Sequence, residues 1–224
     1  YLAKPCKKVI DAAKRVIMYL MSTHDFYLEW RSSDEEIARG VANILVGAVD
    51  ASFAADAMTR RSHGGYINFI NSGPVSWKSG LQPIVTLSSC ESEYVALCAE
   101  VCEVKYLRNL IGELGYEQKE ATLIWEDNKA AILIAEQTGS SAGRCKHIDT
   151  RFRFVSEAIK DRVVRVRYTP TDTNVADLFT KPLSTAVFER LLDLCRSTKS
   201  AQYGNVSEEF QVATGAAYFM VEGC

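Results

Sequence analysis

The sequence predicts an α/β fold with a mixed five-stranded sheet, three antiparallel strands followed by two parallel strands, and helices that flank it. Three observations predict this architecture. Short apolar runs joined by short loops between residues 43 and 88 are typical of an antiparallel meander. A long helical hydrophobic period follows them. Strand-like and helix-like patterns then alternate, as they do where parallel strands are joined by crossovers.

The first part of the chain predicts a helix and then the meander. An amphipathic helix and its exit cover residues 1–28, and the polar stretch "RSSDEEIARG" has the composition of a linker. "NILVGAVDAS" predicts a strand that ends at Asp50, and "MTRRSHGG" predicts a loop. Further short strands are predicted at "YINFI", "VSWKS" and "IVTLS", with a turn at residues 71–74 after the first of them.

The long helix that follows has a start signal and a stop signal. Ser88 and Glu91 form an S-x-x-E capping box in front of the apolar period, and Gly115 is a natural stop. The predicted buried stripe consists of Tyr94, Leu97, Val101, Val104, Ile111 and Leu114.

The rest of the chain alternates between the two periods. "ATLIW" and "VVRVRYT" predict strands, and "NKAAILIAEQ" and "HIDTRFRFVSEAIKD" predict helices, with a loop at residues 138–146. Asn174 is predicted to cap a last helix of the sheet region that begins "VADLF", and "AVFERLLDLCRS" predicts another amphipathic helix. No strong element is predicted from residue 197 onward.

Composition and charge exclude several classes of protein. A net charge of −2 and a pI of about 6.0 are not typical of a protein that binds nucleic acid by bulk charge. No apolar run reaches the roughly 18 residues that span a membrane, so no membrane partner is expected. The seven Cys and three His include no C-x-x-C pair, which argues against zinc and predicts reduced thiols in an intracellular setting.

Four carboxylates have an ordinary structural explanation when each is taken alone. Asp50 could begin a turn, Asp127 could cap a helix, and Asp177 lies where helix starts prefer an acid. Glu93 is different, because the capping box accounts for Glu91 and leaves Glu93 beside the buried stripe, where a carboxylate needs a cation or a metal.

Together, these four acids predict a metal site. Asp50 and Asp127 end two strands of the same predicted sheet, and Glu93 and Asp177 open two helices beside them. Ligand sites of open sheets form where such ends converge. Clustered carboxylates repel one another unless cations are present, and oxygen-only ligands suit Mg²⁺ or Mn²⁺. Glu126, by strand alternation, is expected to point to the other side and to be solvated.

Several motifs then follow one another in the order seen in one family. They are "VDASFAADAMTRRSHGGYINFINSGPVSWKS", "LSSCESEYVALCAEVCEVKYLRNLIGELG", "WEDNKAAI", "KHIDTRFRFVSE" and "YTPTDTNVADLFTKPL". Over about residues 42–195 the chain resembles the RNase H domain at the end of the Pol polyprotein of copia-type LTR retrotransposons. The preceding "AAKRVIMYLMSTHDFYL" is similar to the tail of a reverse transcriptase. The expected domains are therefore a helical tail and linker at 1–40, the RNase H domain at 41–196 and a C-terminal tail at 197–224.

The resemblance implies an RNase H-like fold and a D-E-D-D metal site, whose acids fall on Asp50, Glu93, Asp127 and Asp177. It implies two Mg²⁺ ions, with Mn²⁺ as a substitute, and an endonuclease that leaves 5′-phosphomonoesters. The implied substrate is the RNA strand of an RNA–DNA hybrid, and the implied partner is the reverse transcriptase domain of the same polyprotein. The implied location is a cytoplasmic virus-like particle. Many cellular members carry a His before the last acid, and "TPTDT" has none here.

Candidate nucleic-acid contacts are of two kinds. Hydroxyl and amide groups near the acids, which could equally serve as helix caps, are expected to meet the hybrid backbone and its 2′-OH groups. Basic residues on one helix are expected to follow the phosphates of the DNA strand. The first set is Ser88, Ser89 and Asn128, and the second is Lys146, His147, Arg151 and Arg153.

Other functions remain open at this point. One is a non-catalytic, domesticated module that binds nucleic-acid hybrids, and another is a connector that is active only beside the reverse transcriptase. A third is a different enzyme on the same fold, such as a DDE-type transposase or integrase, although the acid spacing and "ADLFTKPL" argue against it.

Overall fold

The computed structural model describes residues 6–32, 34–38, 42–71, 73–137 and 146–195, and for residues 35, 36 and 146–149 it describes the backbone alone. The predicted C-terminal tail at 197–224 therefore lies outside the described residues. In chain order the elements are α1 (Lys7–Ser22), α2 (Asp34–Ala38), β1 (Val46–Ser52), β2 (His63–Ile70), β3 (Gly73–Leu81), α3 (Ser89–Glu113), β4 (Thr122–Glu126), α4 (Lys129–Glu136), α5 (Lys146–Lys160), β5 (Val164–Tyr168) and α6 (Thr185–Cys195). Two short 3₁₀ segments, Thr171–Thr173 and Val175–Phe179, lie between β5 and α6.

The sheet has five strands in the order β3-β2-β1-β4-β5. The pairs β1–β2 and β2–β3 are antiparallel, and the pairs β1–β4 and β4–β5 are parallel. This arrangement confirms the predicted fold class, with its antiparallel part first and its parallel part second. Strand β1 is the middle strand of the five, and it pairs antiparallel with β2 on one side and parallel with β4 on the other.

The two faces of the sheet are covered differently. Alternation along β1 sends Val49 to the face covered by α3 and α5, and sends Ala48 to the opposite face. On that opposite face, Ala48 packs in a cluster with residues from the Val175–Phe179 segment and from α6. Apolar contacts thus hold the Val175–Phe179 segment, which carries Asp177, against β1.

Helix α3 begins and ends largely as predicted. The Ser88 hydroxyl accepts the Glu91 N–H at 3.2 Å, and the Glu91 carboxylate accepts the Leu87 N–H at 2.7 Å, one residue earlier than a standard capping box. The left-handed φ of +91° at Gly115 ends the helix. Leu114, which was predicted to be buried, is 68% exposed because the helix ends before it can be covered.

Four local predictions are wrong. "IVTLS" is not a strand, because Thr86 instead buries its hydroxyl against that of Ser62 at 2.8 Å. β1 continues past Asp50 to Ser52, since its antiparallel pairing with β2 extends that far. The polar stretch predicted as a linker contains the short helix α2, and "VADLF" is a 3₁₀ segment. No helix in the described ranges is long and apolar enough to cross a membrane.

Candidate metal centre

Asp50 and Asp127 occupy equivalent places on two neighbouring parallel strands. The last register pair between β1 and β4 is Ala48 with Trp125, and each acid lies two residues beyond it. Asp50 is only 1% exposed, and on its other side it is paired with Gly65 of β2. The two carboxylates therefore meet where β1 and β4 stop pairing, as the sequence predicted from strand ends.

Asp177 is brought to the same edge by an asparagine. The Asn174 side chain accepts the Ala176 N–H at 3.1 Å, as predicted for a cap, and donates to the backbone carbonyl of Val49 at 3.0 Å. Since Asn174 is 1% exposed, both bonds are shielded from water. One buried side chain thus ties the Val175–Phe179 segment to the residue that precedes Asp50.

Glu93 reaches the site from the other face of the sheet. It lies just after the first turn of α3, is 6% exposed, and accepts a hydrogen bond from the backbone N–H of Ala51. The Ser88 cap fixes the start of this helix, and so fixes where Glu93 lies relative to β1.

The acids form two groups that share Asp127. Carboxylate oxygens of Asp50, Asp127 and Asp177 lie within 4.8 Å of one another, and those of Glu93, Glu126 and Asp127 do the same. Three of the four predicted acids therefore form one group, and the fourth adjoins them through Asp127. The site wraps around the end of the sheet, with one group toward the 3₁₀ segment and the other toward α3.

Glu126 was predicted to be solvated, and this is wrong. It is the last residue of β4, is 0% exposed, and belongs to the second group of acids. Alternation does place it on the face opposite Trp125. That face is covered by α3, so the carboxylate is buried beside Glu93 instead of reaching water.

Two further site residues were not predicted. The ammonium of Lys181 lies 2.8 Å from Oδ1 of Asp177 and 3.6 Å from Oδ1 of Asp50. The Thr180 hydroxyl donates to Oδ2 of Asp50 and is buried. Both residues lie in the quoted motif "YTPTDTNVADLFTKPL", and the spacing of four between Asp177 and Lys181 was the available sequence signal.

Burial dominates the electrostatics of the acids on the α3 side. It raises the pKa of Glu93 well above its ordinary value, and the charges of Glu126 and Asp50 raise it further. Burial also raises the pKa of Glu126, against the hydrogen bond from the Asn128 backbone N–H, which lowers it. Among the described residues, no hydrogen-bond partner is found for Oε2 of Glu93 or for Oε2 of Glu126.

Of the acids toward the 3₁₀ segment, Asp50 and Asp177 are buried and Asp127 is half-buried, and a cation is near them. Burial raises the pKa of Asp127 and of Asp177, and the hydrogen bond from Lys181 lowers that of Asp177 in part. Burial alone would lower the pKa of Lys181, but its hydrogen bond to Asp177 and the surrounding carboxylates raise it.

These residues fit a divalent metal. On the α3 side of the site, Oε2 of Glu93 and Oε2 of Glu126 lack a hydrogen-bond partner in the described part of the chain, and a lysine ammonium already contacts Asp50 and Asp177. Both facts indicate a site whose negative charge calls for a cation. All donors are carboxylate oxygens, the ligands preferred by Mg²⁺ and Mn²⁺.

The predicted nucleic-acid contacts fall into four sets. Ser88 and Asn128 are helix caps, and Asn128 accepts the N–H groups of Ala130 and Ala131 at 3.0 and 3.1 Å. Ser89 is the exposed first residue of α3. Both Arg151 and Arg153 lie on α5, the first partly buried and the second exposed. The side chains of Lys146 and His147 lie outside the described residues.

No protein-family model matches the sequence. Curated proteins do. The retrovirus-related Pol polyprotein from transposon TNT 1-94 of Nicotiana tabacum is 34% identical over 194 residues, 87% of this chain and 14% of that protein. That from transposon RE2 of Arabidopsis thaliana is 30% identical over 84% of this chain and 12% of that protein. Secreted RxLR effector protein 161 of Plasmopara viticola is 41% identical over 107 residues, 48% of this chain and 70% of that protein.

Solved structures similar to this chain are more distant in sequence. LC11-RNase H1, crystallised in complex with an RNA/DNA hybrid, is 13% identical, with a TM-score of 0.44 over 61% of this chain and 93% of that one. The foamy viral protease-reverse transcriptase in complex with an RNA/DNA hybrid is also 13% identical, with a TM-score of 0.45 over 62% of this chain and 20% of that one.

The sequence similarity to Pol polyproteins extends over most of the described residues, including the strands and helices that carry the acids. The chain spans less than one sixth of the length of the polyproteins from TNT 1-94 and RE2. The chain is therefore a homologue of the retrovirus-related Pol polyproteins of plant copia-type transposons.

Proposed function

We propose that this chain is a ribonuclease H that hydrolyses the RNA strand of RNA–DNA hybrids during reverse transcription, with Mg²⁺ as its metal. The observation that carries the proposal is the convergence of Asp50, Asp127 and Asp177 within 4.8 Å, with Glu93 adjoining them, in a homologue of Pol polyproteins. An oxygen-only cluster of this kind suits phosphodiester hydrolysis by two metal ions.

The position of each acid would determine which of the two ions it binds. Asp50, Asp127 and Asp177 would hold one cation, and Glu93 with Asp127 would hold the other, with Mn²⁺ able to substitute. When bound, the two ions would supply an activated water and stabilisation of the leaving oxygen. The chain's own contribution is to fix the ligands: the Thr180 hydroxyl orients Asp50, and the Ala51 N–H orients Glu93.

The hybrid would be bound by residues around this edge of the sheet. The hydroxyl and amide groups of Ser88, Ser89 and Asn128 lie at the starts of α3 and α4, next to the acids. The basic residues Lys146, His147, Arg151 and Arg153 of α5 are proposed to follow the DNA phosphates. The proposed protein partner is the reverse transcriptase domain of the same polyprotein, and the proposed location is a cytoplasmic virus-like particle.

A second candidate is a module that binds hybrids without cleaving them. One observation favours it: Lys181 already contacts Asp50 and Asp177, and so could neutralise the site without metal. The two candidates differ in whether cleavage depends on a divalent cation.

The test is an assay with a hybrid labelled on its RNA strand, run in Mg²⁺, in Mn²⁺ and in EDTA. The proposal predicts cleavage that needs metal and that Asp127→Asn abolishes, whereas Glu136→Gln, an exposed acid of α4, leaves it unchanged. Tight hybrid binding with no cleavage in either metal would favour the second candidate. Cleavage that survives Asp127→Asn would contradict the assigned site.

A further inference from the structure

Glu126 is a carboxylate that the four-acid site does not use. It is the last residue of β4 and directly precedes Asp127. Because neighbouring strand residues point to opposite faces, Glu126 lies on the α3 side of the sheet, as Ile124 does. Its residue exposure is 0%, so water does not solvate it.

One oxygen of Glu126 has a structural role and the other has none. Oε1 accepts the backbone N–H of Asn128 at 3.0 Å, a contact that shapes the turn into α4. Oε2 is buried, and in the described ranges no group donates to it. A neutral side chain could accept the Asn128 N–H equally well, without the free-energy cost of burying a charge. The turn alone therefore does not explain a carboxylate at this position.

The same group of acids contains a second buried oxygen without a partner. Glu93 Oε2 is also buried without a partner in the described part of the chain, and carboxylate oxygens of Glu93, Glu126 and Asp127 lie within 4.8 Å of one another. Lys181 forms its ion pairs with Asp50 and Asp177, and within this group its charge lowers the pKa of Asp127 in part. Glu93 and Glu126, each with an unsatisfied buried oxygen, thus have no ion-pair partner among the described residues.

We propose that Glu126 is a fifth carboxylate ligand of the metal centre, completing with Glu93 and Asp127 a divalent cation position separate from that of Asp50, Asp127 and Asp177. This rests on the proposed function for the choice of Mg²⁺ or Mn²⁺ as the ion. A hard divalent cation bound there would satisfy both free oxygens at once. Asp127, shared by the two groups, would bridge the two positions.

The test is calorimetric titration of the full chain with Mn²⁺ in the absence of nucleic acid. Wild type is expected to bind two Mn²⁺ per chain. Glu126→Gln keeps an oxygen for the Asn128 N–H but loses the charge, and is expected to weaken one of the two events at least tenfold. Asp177→Asn is expected to weaken the other event, and Glu136→Gln is expected to leave both unchanged.

Two unchanged Mn²⁺ events in Glu126→Gln would overturn the inference and leave Glu126 with a structural role alone. If circular dichroism shows that this variant does not fold, Glu126→Asp is titrated in its place. It keeps the charge but withdraws the carboxylate by one methylene, so one weakened event supports the inference and two unchanged events overturn it.

The readout separates this inference from the proposed function. A protein that binds two Mn²⁺, one of them through Glu126, but cleaves no hybrid would support the fifth ligand and refute the ribonuclease. A protein that cleaves hybrids while Glu126→Gln binds Mn²⁺ as wild type does would support the ribonuclease and refute the fifth ligand.

Discussion

The ammonium of Lys181 lies 2.8 Å from Oδ1 of Asp177, an acid four residues earlier in the chain. Its 3.6 Å separation from Oδ1 of Asp50 makes it a tethered cation between two proposed metal ligands. A divalent ion that binds Asp50 and Asp177 must compete with this ammonium. We therefore expect the lysine to stabilise the metal-free protein and to oppose metal binding at these two acids.

Replacing this lysine should lower the thermal stability of the metal-free protein and raise its affinity for metal. In Lys181→Gln the metal-free protein is expected to melt a few degrees lower, because an ion pair worth about 1 kcal/mol is lost. Its affinity for Mn²⁺ is expected to rise about tenfold, the equivalent of about 1.4 kcal/mol, because the internal competitor is gone.

Thermal melting and Mn²⁺ calorimetry measure the two effects. Arg167→Gln is the control, because it removes an exposed cation paired with Glu136 at 3.4 Å, away from the acids. Weaker Mn²⁺ binding in Lys181→Gln, with Arg167→Gln unchanged, would show that the lysine supports the metal instead of opposing it.

Gly65 controls how closely the 3₁₀ segment approaches Asp50, its register partner on β1. A Cβ at Gly65 would lie 2.6 Å from Cβ of Phe179 and 3.0 Å from Cγ2 of Thr180. Gly65→Ala is therefore expected to push the segment outward, to cost about 1–3 kcal/mol of stability, and to weaken Mn²⁺ binding.

Gly80→Ala is the matched control on the neighbouring strand, because a Cβ there would meet no atom within 4 Å. Denaturant unfolding and Mn²⁺ calorimetry report the two quantities. If the two alanine variants had the same stability and the same Mn²⁺ affinity, the approach of the segment to β1 would not set the geometry of the site.

Glu100 should make stability fall as pH rises. It is fully buried on α3, and its Oε2 accepts the Asn68 amide at 3.2 Å. Burial raises its pKa well above the ordinary 4.5. The folded state therefore holds the proton more tightly, so the stabilisation is complete below the unfolded pKa and is lost as pH rises toward the folded one.

Glu100→Gln removes this dependence. Relative to wild type, the free energy of unfolding of the variant is expected to gain about 1.4 kcal/mol for each pH unit between the unfolded and folded pKa values. Urea unfolding at pH 4.5 and pH 8 measures the difference, with the exposed Glu113→Gln of the same helix as control. If the free energy of unfolding differed between Glu100→Gln and wild type by the same amount at both pH values, Glu100 would not be protonated in the folded state.

Local patterns were sufficient to predict most of the sheet and the positions of its acids. Asp50 and Asp127 could be predicted because strands of a parallel pair end at the same edge. Asn174 and Ser88 could be predicted as caps because capping depends on chemistry within a few residues. These features depend on residues that are near one another in the sequence.

What could not be predicted depends on contacts between distant segments. Alternation gave the correct face for Glu126, but only the position of α3 shows that this face is dry. The spacing of Asp177 and Lys181 was visible, whereas the approach of Lys181 to Asp50 requires the 3₁₀ segment to pack on β1. In "IVTLS" the β-branched residues favoured a strand, and the buried bond of Thr86 to Ser62 overrode that preference.

The most direct test of the central claim is Mg²⁺-dependent cleavage of the RNA strand of an RNA–DNA hybrid by wild type and by Asp50→Asn. Asp50 is the acid held by β1, Thr180 and Lys181, so its loss should disable the site while circular dichroism shows an intact fold. We expect wild type to cleave, EDTA to stop it, and Asp50→Asn to reduce the rate at least a thousandfold. Cleavage by folded Asp50→Asn at the wild-type rate, or no cleavage by wild type with either Mg²⁺ or Mn²⁺, would contradict the account.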